Sequence, residues 1–480
     1  MGVRPFFINI APDGTFAATS DYATTPGDVD ALFAALNGDA QRRLLLYFHG
    51  GLVAEASGIR VARAMTEHFG ETSYAVSFVW NSGLLDVIRA SIRDISNTKL
   101  FQKLVRVVMK RVSGKLSIDV EGRGGTAGLT DADIDAIIRG AKTSSTFDDG
   151  ARGSAPEVVA QTGEPILRAE LQGELDAELS GQDPAEWEEA LQEAQQKLPE
   201  DLLNDELRQP MDTEGQRGVV LTVLLKLTVG VAFRVIKRYV GARDHGFYPT
   251  VFEEVLRQVF LAKVGEWAWG RMKRSAQLMW ANPAVTFPKA SEGAGLTLLR
   301  KLSAMDPKPR IDVIGHSAGS IAICHMFEAL DREKLDLKVR NVVLLAPACR
   351  HDLFRNTIIR HQDRWKSFRM FTMLDELEAA DALVDDVPFL YPRSLLYLVS
   401  GAFEAEADTP LLGMTRFLKG QKPFDGHAFD DVKAFMDEPG RLVLAKTGDD
   451  ATLGLRCHAA DHGTFDEDVM TMESLKHLAQ

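Results

Sequence analysis

The sequence predicts an α/β protein with a mostly parallel central sheet, flanking helices and a large, mainly helical insertion. Short apolar runs alternate with helical patterns near both ends of the 480-residue chain, which is typical of a parallel sheet covered by helices. The alternation stops between residue 81 and about residue 290. Because 45% of the residues are hydrophobic, the chain can bury a sizeable core, and we expect a globular protein.

Residues 1–80 are predicted to form the first part of the sheet domain. A β-hairpin is expected at the start, with a strand over Phe6–Ile10 and a turn at Asp13-Gly14. The near-continuous apolar run Arg43–His49 indicates a strand that is buried on both faces. A helix and a second buried strand follow, at Val53–Phe69 and Tyr74–Trp80.

Residues 291–480 are predicted to form the second part of the sheet domain, in which the alternation resumes. Its elements, assigned from their apolar patterns, are the helices Leu296–Met305, Ser320–Leu330 and Val469–Leu478 and the strands Arg310–Ile314, Val339–Leu345, Ser367–Leu374 and Thr452–Cys457.

Residues 81–290 are predicted to be a helical insertion, or cap, within this domain. The stretch near 122–209 is rich in Gly, Ala, Asp and Glu and has few aliphatic residues. It predicts a flexible acidic segment with short, weakly packed helices and a solvated acidic face. Insertions of this kind commonly shape a binding pocket.

One part of the insertion, Gly218–Val240, is predicted to be a long apolar helix. Lys226 lies near its centre and Arg234 interrupts it, and each would cost roughly 2.5–3.5 kcal/mol at the middle of a bilayer. The polar side chains recur on a four-residue spacing and would form one narrow stripe: Thr222, Lys226, Arg234 and Arg238. The pattern favours a cap or core helix, with a membrane-surface contact near residues 219–236 as a second interpretation and a membrane-spanning helix as a third.

The composition limits the classes of partner and compartment. A net charge of −13 argues against general binding of nucleic-acid phosphates, so we expect no nucleic-acid partner. Three scattered cysteines, Cys324, Cys349 and Cys457, are too few for a disulfide framework and do not form a zinc-binding set. The amino-terminal segment lacks the pattern of a secretory signal. We therefore expect a reducing, cytoplasmic location.

The strongest chemical signal is the segment Gly315-His316-Ser317-Ala318-Gly319. An apolar strand leads into it and a helix-compatible run leaves it. A strand that turns sharply into a helix needs small residues two positions on either side of the turn residue, and glycines occupy both positions here. Ser317 would then project from the sheet edge beside a helix N-terminus, as a nucleophile requires.

With this turn, the chain resembles the α/β-hydrolase superfamily over residues near 40–80 and 296–480. The resemblance implies an α/β-hydrolase fold with a nucleophile elbow at Ser317. It also implies a catalytic triad in the chain order Ser, then Asp or Glu, then His, and an oxyanion hole formed partly by an earlier loop.

The earlier loop is present as Tyr-Phe-His-Gly-Gly-Leu, which ends at Leu52 and looks like the His-Gly oxyanion loop of the family. Glycines there let backbone N–H groups approach a substrate oxygen closely. We assign the oxyanion hole to the amides of Gly51 and Ala318, although Gly50 and Leu52 remain alternatives to Gly51. His49 is interpreted as support for the loop.

The acid of the triad is predicted to follow the strand Ser367–Leu374. Asp375 is the first carboxylate after that strand, and it could hold the histidine in the correct tautomer. Other carboxylates compete for the role, three of them close by and one after the preceding strand: Glu376, Glu378, Asp381 and Asp352.

The base is predicted to be His462, which lies on a loop just before the last helix, where the family's histidine is similarly placed. Gly463 gives this loop the freedom to bend the ring over Ser317. The alternatives that follow the acid along the chain are His458, His427 and His477.

These residues predict a serine hydrolase that cleaves a carboxylic ester through an acyl-enzyme on Ser317, with a small-molecule or lipid-like ester as substrate. The mechanism requires no cofactor or metal, and the sequence contains neither an HExxH zinc motif nor a Walker-type phosphate loop. The alternatives are an acyltransferase, thioesterase or peptidase that uses the same triad. A further alternative is a non-catalytic, membrane-associated scaffold.

Overall fold

The computed structural model of the protein describes residues 5–38, 42–51, 54–80, 85–116, 118, 128–138, 162–208, 217–260, 264–286, 291–383 and 390–480. The chain divides into two compact units. The core unit comprises Met1–Asp86, Gly270–Asp381 and Pro410–Gln480, and the helical unit comprises Val87–Trp269 and Ala382–Thr409. The helical unit thus contains most of the predicted insertion together with a second segment, Ala382–Thr409, which the sequence analysis assigned to the sheet domain.

The core unit is built on a seven-stranded sheet in which the neighbouring strands of the described residues all pair in parallel. The strands follow the spatial order β1-β3-β2-β4-β5-β6-β7. Their bounds are β1 Phe7–Ile10, β2 Arg43–Phe48, β3 Tyr74–Trp80, β4 Arg310–His316, β5 Val339–Leu345, β6 Trp365–Met373 and β7 Leu442–Ala445. The predicted α/β fold class, with a parallel central sheet, is confirmed.

Helices flank the strands and make up most of the helical unit. Those of the described residues are α1 Pro26–Asn37, α2 Glu55–Phe69, α3 Leu85–Ser96, α4 Lys99–Leu116, α5 Asp131–Ile138, α6 Glu164–Ser180, α7 Pro184–Lys197, α8 Arg217–Val240, α9 Phe247–Val255, α10 Val264–Leu278, α11 Ala294–Ser303, α12 Gly319–Arg332, α13 His351–Phe354, α14 Asp375–Ala380, α15 Leu395–Leu398, α16 His427–Met436 and α17 Val469–Ala479.

The central strands are apolar because both of their faces are covered. All seven residues of β3 are buried, as are the last five residues of β2 and the last six of β4. The pairing of β2 with β4 sets Phe48 opposite Gly315, so both strands end at the same edge of the sheet. This register brings the loop after β2 next to the turn after β4.

The start of the chain differs from the predicted hairpin. The turn forms, with Gly14 at a φ of 86°, and an isolated antiparallel bridge joins Ile10 to Phe16. However, β1 pairs in parallel with β3, where Phe7 lies opposite Ser77. The apolar residues of β1 therefore complete the edge of the main sheet, and the predicted hairpin is confined to this turn and its short antiparallel bridge.

The prediction of a strand over Thr452–Cys457 was wrong. Those residues form turns and irregular structure, and the last strand is the earlier segment Leu442–Ala445. This strand pairs in parallel with Met370–Met373 of β6. Cys457 is nevertheless buried, and its carbonyl accepts a hydrogen bond from the Thr447 N–H. The apolar residues that suggested a strand near Cys457 therefore belong to a buried loop.

Within the acidic segment, α6 and α7 are longer and better packed than the sequence predicted. Leucines at every fourth position of α6 are buried: Leu167, Leu171, Leu175 and Leu179. Acidic side chains of α6 and α7 form ion pairs with basic side chains of α4, such as Arg111 with Glu178 and Lys103 with Glu186. The parts of this segment at 122–127, 139–161 and 209 lie outside the described residues.

Helix α8 is the long apolar helix that the sequence predicted. Thr222, Lys226 and Arg234 are exposed, as a polar stripe requires. Arg238 departs from the stripe because it is buried and pairs with Glu253 and Glu254. Among the described residues, no helix combines the length and apolarity needed to cross a membrane.

Candidate active site

Ser317 lies on a sharp turn between β4 and α12. Its φ is 49°, in the left-handed region that non-glycine residues rarely adopt. A Cβ at Gly319 would lie 2.1 Å from the carbonyl oxygen of Phe48, and a Cβ at Gly315 would lie 2.7 Å from the Cδ1 of Ile323. Both predicted glycine positions are therefore sterically required, and the turn has the form expected of a nucleophile elbow.

Hydrogen bonds hold the turn in this conformation. The Ser317 N–H donates to the carbonyl oxygen of Leu345 at 2.8 Å, and the Ala348 N–H donates to the carbonyl oxygen of Ser317 at 3.0 Å. The Ser320 hydroxyl donates to the same Ser317 carbonyl at 2.6 Å. The turn is thus tied to the end of β5 and to the loop after it, so the serine hydroxyl has a fixed place.

His462 is the histidine that meets this hydroxyl. Its Nε2 lies 2.9 Å from the Oγ of Ser317, and both side chains are buried. The pKa of His462 is lowered to about 3, chiefly by burial and then by the neighbouring His316, while Asp466 opposes the shift. The ring is therefore neutral at pH 7 and can accept a proton from Ser317.

The opposite side of the His462 ring faces no hydrogen-bond partner among the described residues, since Nδ1 is buried and unbonded. The predicted acid, Asp375, lies at the start of α14, where its Oδ2 is 2.9 Å from the Nζ of Lys419. Asp381, which follows the same helix, accepts a hydrogen bond from the backbone N–H of His462 at 2.9 Å. Among the carboxylates proposed for the triad, Asp381 thus accepts a hydrogen bond from His462, through the backbone.

The glycine loop after β2 lies against the Ser317 turn. A Cβ at Gly51 would come within 2.7 Å of the Cβ of Ala318, and a Cβ at Gly50 would lie 3.6 Å from the Cβ of Ser317. Ala318 itself is fully buried at the start of α12. The two proposed oxyanion donors therefore come from segments in direct contact, and Leu52, the third alternative for the loop amide, lies outside the described residues.

His49 braces this loop. Its Nδ1 faces the carbonyl oxygen of Gly50, and its Nε2 accepts a hydrogen bond from the Trp80 N–H at 3.1 Å. Burial is the main cause that lowers the pKa of His49 to about 4, so the ring is neutral at pH 7. A neutral ring with a donor and an acceptor nitrogen suits the supporting role that the sequence suggested.

Two of the alternative histidines make contacts away from Ser317. The Nε2 of His458 lies 3.1 Å from the carbonyl oxygen of Thr447, and its backbone N–H donates to Asp468. His427 is largely exposed and lies 3.3 Å from Asp431.

A buried polar cluster next to His462 was not foreseen as part of the site. His316 precedes the nucleophile, and its Nε2 lies 2.9 Å from the carbonyl oxygen of His462. Its Nδ1 lies 3.4 Å from Asp466, which also accepts a hydrogen bond from the Tyr47 hydroxyl at 2.6 Å. The four-residue spacing of His462 and Asp466 was the only signal in the sequence. Among the described residues, no group of three or more potential ligand side chains is arranged to hold a metal ion.

Comparison with known proteins found one family. Residues 287–387 match the family described as "Alpha/beta hydrolase of unknown function (DUF900)". No curated protein and no solved structure gave a significant match to the chain. The matched segment runs from α11 to the residues after α14, and it includes both Ser317 and Asp381. Together with the parallel sheet, this match confirms the predicted resemblance of the chain to the α/β-hydrolase superfamily.

Proposed function

We propose that the protein is a serine hydrolase that cleaves a carboxylic ester, or a related acyl bond, through an acyl-enzyme on Ser317. The observation that supports this most directly is the 2.9 Å contact between the Ser317 hydroxyl and the Nε2 of a neutral, buried His462. A hydroxyl held against a general base at the tip of a strained turn is the arrangement that acyl transfer needs.

The mechanism follows from the positions of these groups. His462 takes the proton of Ser317 as the oxygen attacks the carbonyl carbon, and the N–H groups of Gly51 and Ala318 donate to the resulting oxyanion. His462 then gives the proton to the leaving alcohol, and the acyl group stays on Ser317. A water molecule, deprotonated by His462, attacks the acyl carbon, and the serine is regenerated as the carboxylic acid leaves.

We assign the acid of the triad to Asp381, with Asp375 as the alternative. Asp381 accepts a hydrogen bond from the backbone N–H of His462 at 2.9 Å. The carboxylate therefore lies next to the residue whose ring Nδ1 is buried and unbonded. A carboxylate in this position stabilises the imidazolium that forms when Ser317 is deprotonated. Asp375 is engaged by Lys419 instead.

The substrate class is proposed as a small-molecule or lipid-like ester, in a reducing, cytoplasmic setting. Support for the setting comes from Cys324, Cys349 and Cys457, which are all buried and unpaired. The same pair of Ser317 and His462 also suits the cleavage of thioesters or amides, and the transfer of the acyl group to an acceptor other than water.

Labelling by a fluorophosphonate probe tests the proposal, since only an activated serine reacts with it. We expect the full-length chain to be labelled once, with the modified peptide containing Ser317, and Ser317→Ala to be unlabelled. An unlabelled, folded wild-type chain would contradict the proposal and favour a non-catalytic scaffold. Rates on matched esters, thioesters and amides, with hydroxyl acceptors added, then separate the remaining reactions.

A further inference from the structure

His316, Asp466 and Tyr47 form a buried group that the reaction described above does not use. His316 lies at the end of β4, Asp466 in the loop before α17, and Tyr47 near the end of β2. The Tyr47 hydroxyl and the Nδ1 of His316 both face Oδ2 of Asp466, at 2.6 Å and 3.4 Å. Their side chains are almost entirely shielded from solvent. A buried carboxylate with two such partners is held in one orientation.

The group reaches the proposed base through the backbone. Nε2 of His316 donates to the carbonyl oxygen of His462 at 2.9 Å, so this nitrogen carries a proton. The other nitrogen faces a carboxylate, which favours a second proton there. The centres of the His316 and His462 rings are 5.8 Å apart. A charge on His316 is therefore felt at the ring that faces Ser317.

The pKa directions agree with an ionised pair. Burial, the largest influence on His316, disfavours its charged form, but Asp466, the His462 carbonyl and Asp461 outweigh it, and the pKa of His316 is raised. Burial also opposes ionisation of Asp466, yet His316 and Tyr47 lower the pKa of that carboxyl. His49 also interacts electrostatically with His316 and Asp466, and the pKa of His49 is lowered mainly by burial.

We propose that the His316–Asp466 pair is a positioning group for His462, because it fixes the backbone that carries the imidazole and places a positive charge beside that ring. This role rests on the proposed function of Ser317 and His462. The charge keeps His462 unprotonated at lower pH than an ordinary histidine, so the base remains available in acid. Asp466 supplies the counter-charge, and Tyr47 holds Asp466 in place.

Histidine ring NMR on the full-length Ser317→Ala protein tests the pair without any turnover. We expect His316 to hold both ring protons above pH 6.5 and His462 to stay neutral well below it. His316→Gln keeps a side-chain amide that can donate to the carbonyl but removes the charge. It should raise the titration midpoint of His462 by about one pH unit. Asp466→Asn should lower the midpoint of His316, and His458→Gln is the matched control that should move neither.

An ordinary His316 midpoint at or below 6.5, or an unchanged His462 midpoint in His316→Gln, would overturn the proposal. In protein that retains Ser317, kcat/KM falls on the acid side of its pH profile. His316→Gln should shift the midpoint of that fall to higher pH, by the same amount as it shifts the NMR midpoint of His462. Loss of turnover in Asp466→Asn as complete as in Ser317→Ala, with His316→Gln unaffected, would instead make Asp466 the acid of the triad. If the NMR shifts occur but no fluorophosphonate labels Ser317, the pair stands and the serine hydrolase proposal fails.

Discussion

Ser317, the proposed nucleophile, has an unfavourable backbone conformation. A non-glycine residue at positive φ stores about 1–3 kcal/mol of strain, and hydrogen bonds to the backbone N–H and carbonyl oxygen of Ser317 hold the residue in this conformation. The strain directs the hydroxyl toward His462. The strained backbone and the proposed nucleophilic hydroxyl therefore belong to the same residue.

Two substitutions of Ser317 separate the backbone strain from the loss of the hydroxyl. Ser317→Gly should relieve the positive φ and be about 1 kcal/mol more stable to denaturant than Ser317→Ala, which keeps the strain. Both variants should lose fluorophosphonate labelling. Equal midpoints of unfolding for the two variants would show that the turn is not strained in solution.

The pH dependence of kcat/KM reports on His462 in the free protein. Because the pKa of His462 is lowered to about 3, the ring is neutral and competent above that pH and is protonated only below it. We expect kcat/KM on a neutral ester to stay level from pH 8 to about pH 5. A fall centred near pH 6.5 or above would contradict this expectation, because the proposed contact of Asp381 with Nδ1 would then already exist in the free protein; a level profile confines that contact to the transition state.

The identity of the acid is tested by two matched substitutions. Asp381→Asn should lower kcat by roughly 10⁴-fold, as loss of a triad carboxylate does, because the imidazolium is no longer stabilised. Asp375→Asn should change kcat little, since Asp375 pairs with the partly exposed Lys419. The reverse pattern would return the assignment to Asp375.

The elements around the site are related by close approach of their backbones. Phe48, at the end of β2, leaves no room for a side chain at Gly319, where α12 begins. This contact sets how near the glycine loop comes to the Ser317 turn.

A substitution at Gly319 therefore acts on both elements. Gly319→Ala should destabilise the protein by about 1–3 kcal/mol, through overpacking, and should reduce activity by displacing the turn. Gly173→Ala, in the exposed middle of α6 where a Cβ meets nothing within 4 Å, should stabilise by about 0.5–1 kcal/mol. Thermal unfolding and ester hydrolysis of the two variants measure the contrast.

The elements show which features of this chain could be read from its sequence. Strands β2 to β6 were predicted because runs such as Tyr74–Trp80 are long and apolar, and the Ser317 turn because two glycines flank it. Strand β7 was missed because it has four residues, whereas the segment up to Cys457 mimics a strand while packing as a buried loop.

The polar contacts of the site were harder to predict than its strands. Ser317 and His462 each carry a local signal, a glycine turn and a loop before the last helix. Asp381 and Asp466 are distinguished from other carboxylates only by contacts between segments that are far apart in the sequence. Such contacts depend on how loops cross the end of the sheet, which no local pattern records.

At the scale of the whole molecule, the helical unit has a charged interior of its own. Arg238 of α8 pairs with Glu253 and Glu254 of α9, and His245 lies between Glu253 and Asp408. All five side chains are nearly inaccessible to solvent. Each charge depends on its partners, because an unpaired charge in such a place is strongly unfavourable.

Two cations of α8 provide a direct comparison. Arg238→Met should destabilise the helical unit by about 3–5 kcal/mol because it removes a cation that pairs with two buried carboxylates, Glu253 and Glu254. Lys226→Met removes only an exposed pair with Glu206 and should change stability by less than about 0.5 kcal/mol. Hydrogen exchange of amides in α8 and α9 measures both effects, and equal protection in the two variants would contradict this account.

The distance along the chain between Ser317 and His462 has a consequence for biosynthesis. The two residues are 145 positions apart, and the histidine belongs to the final loop before α17. A ribosome would synthesise all seven strands of the described sheet before it added His462, the proposed general base. On the proposed function, Ser317 would therefore stay unreactive until the loop that carries His462 docks against it.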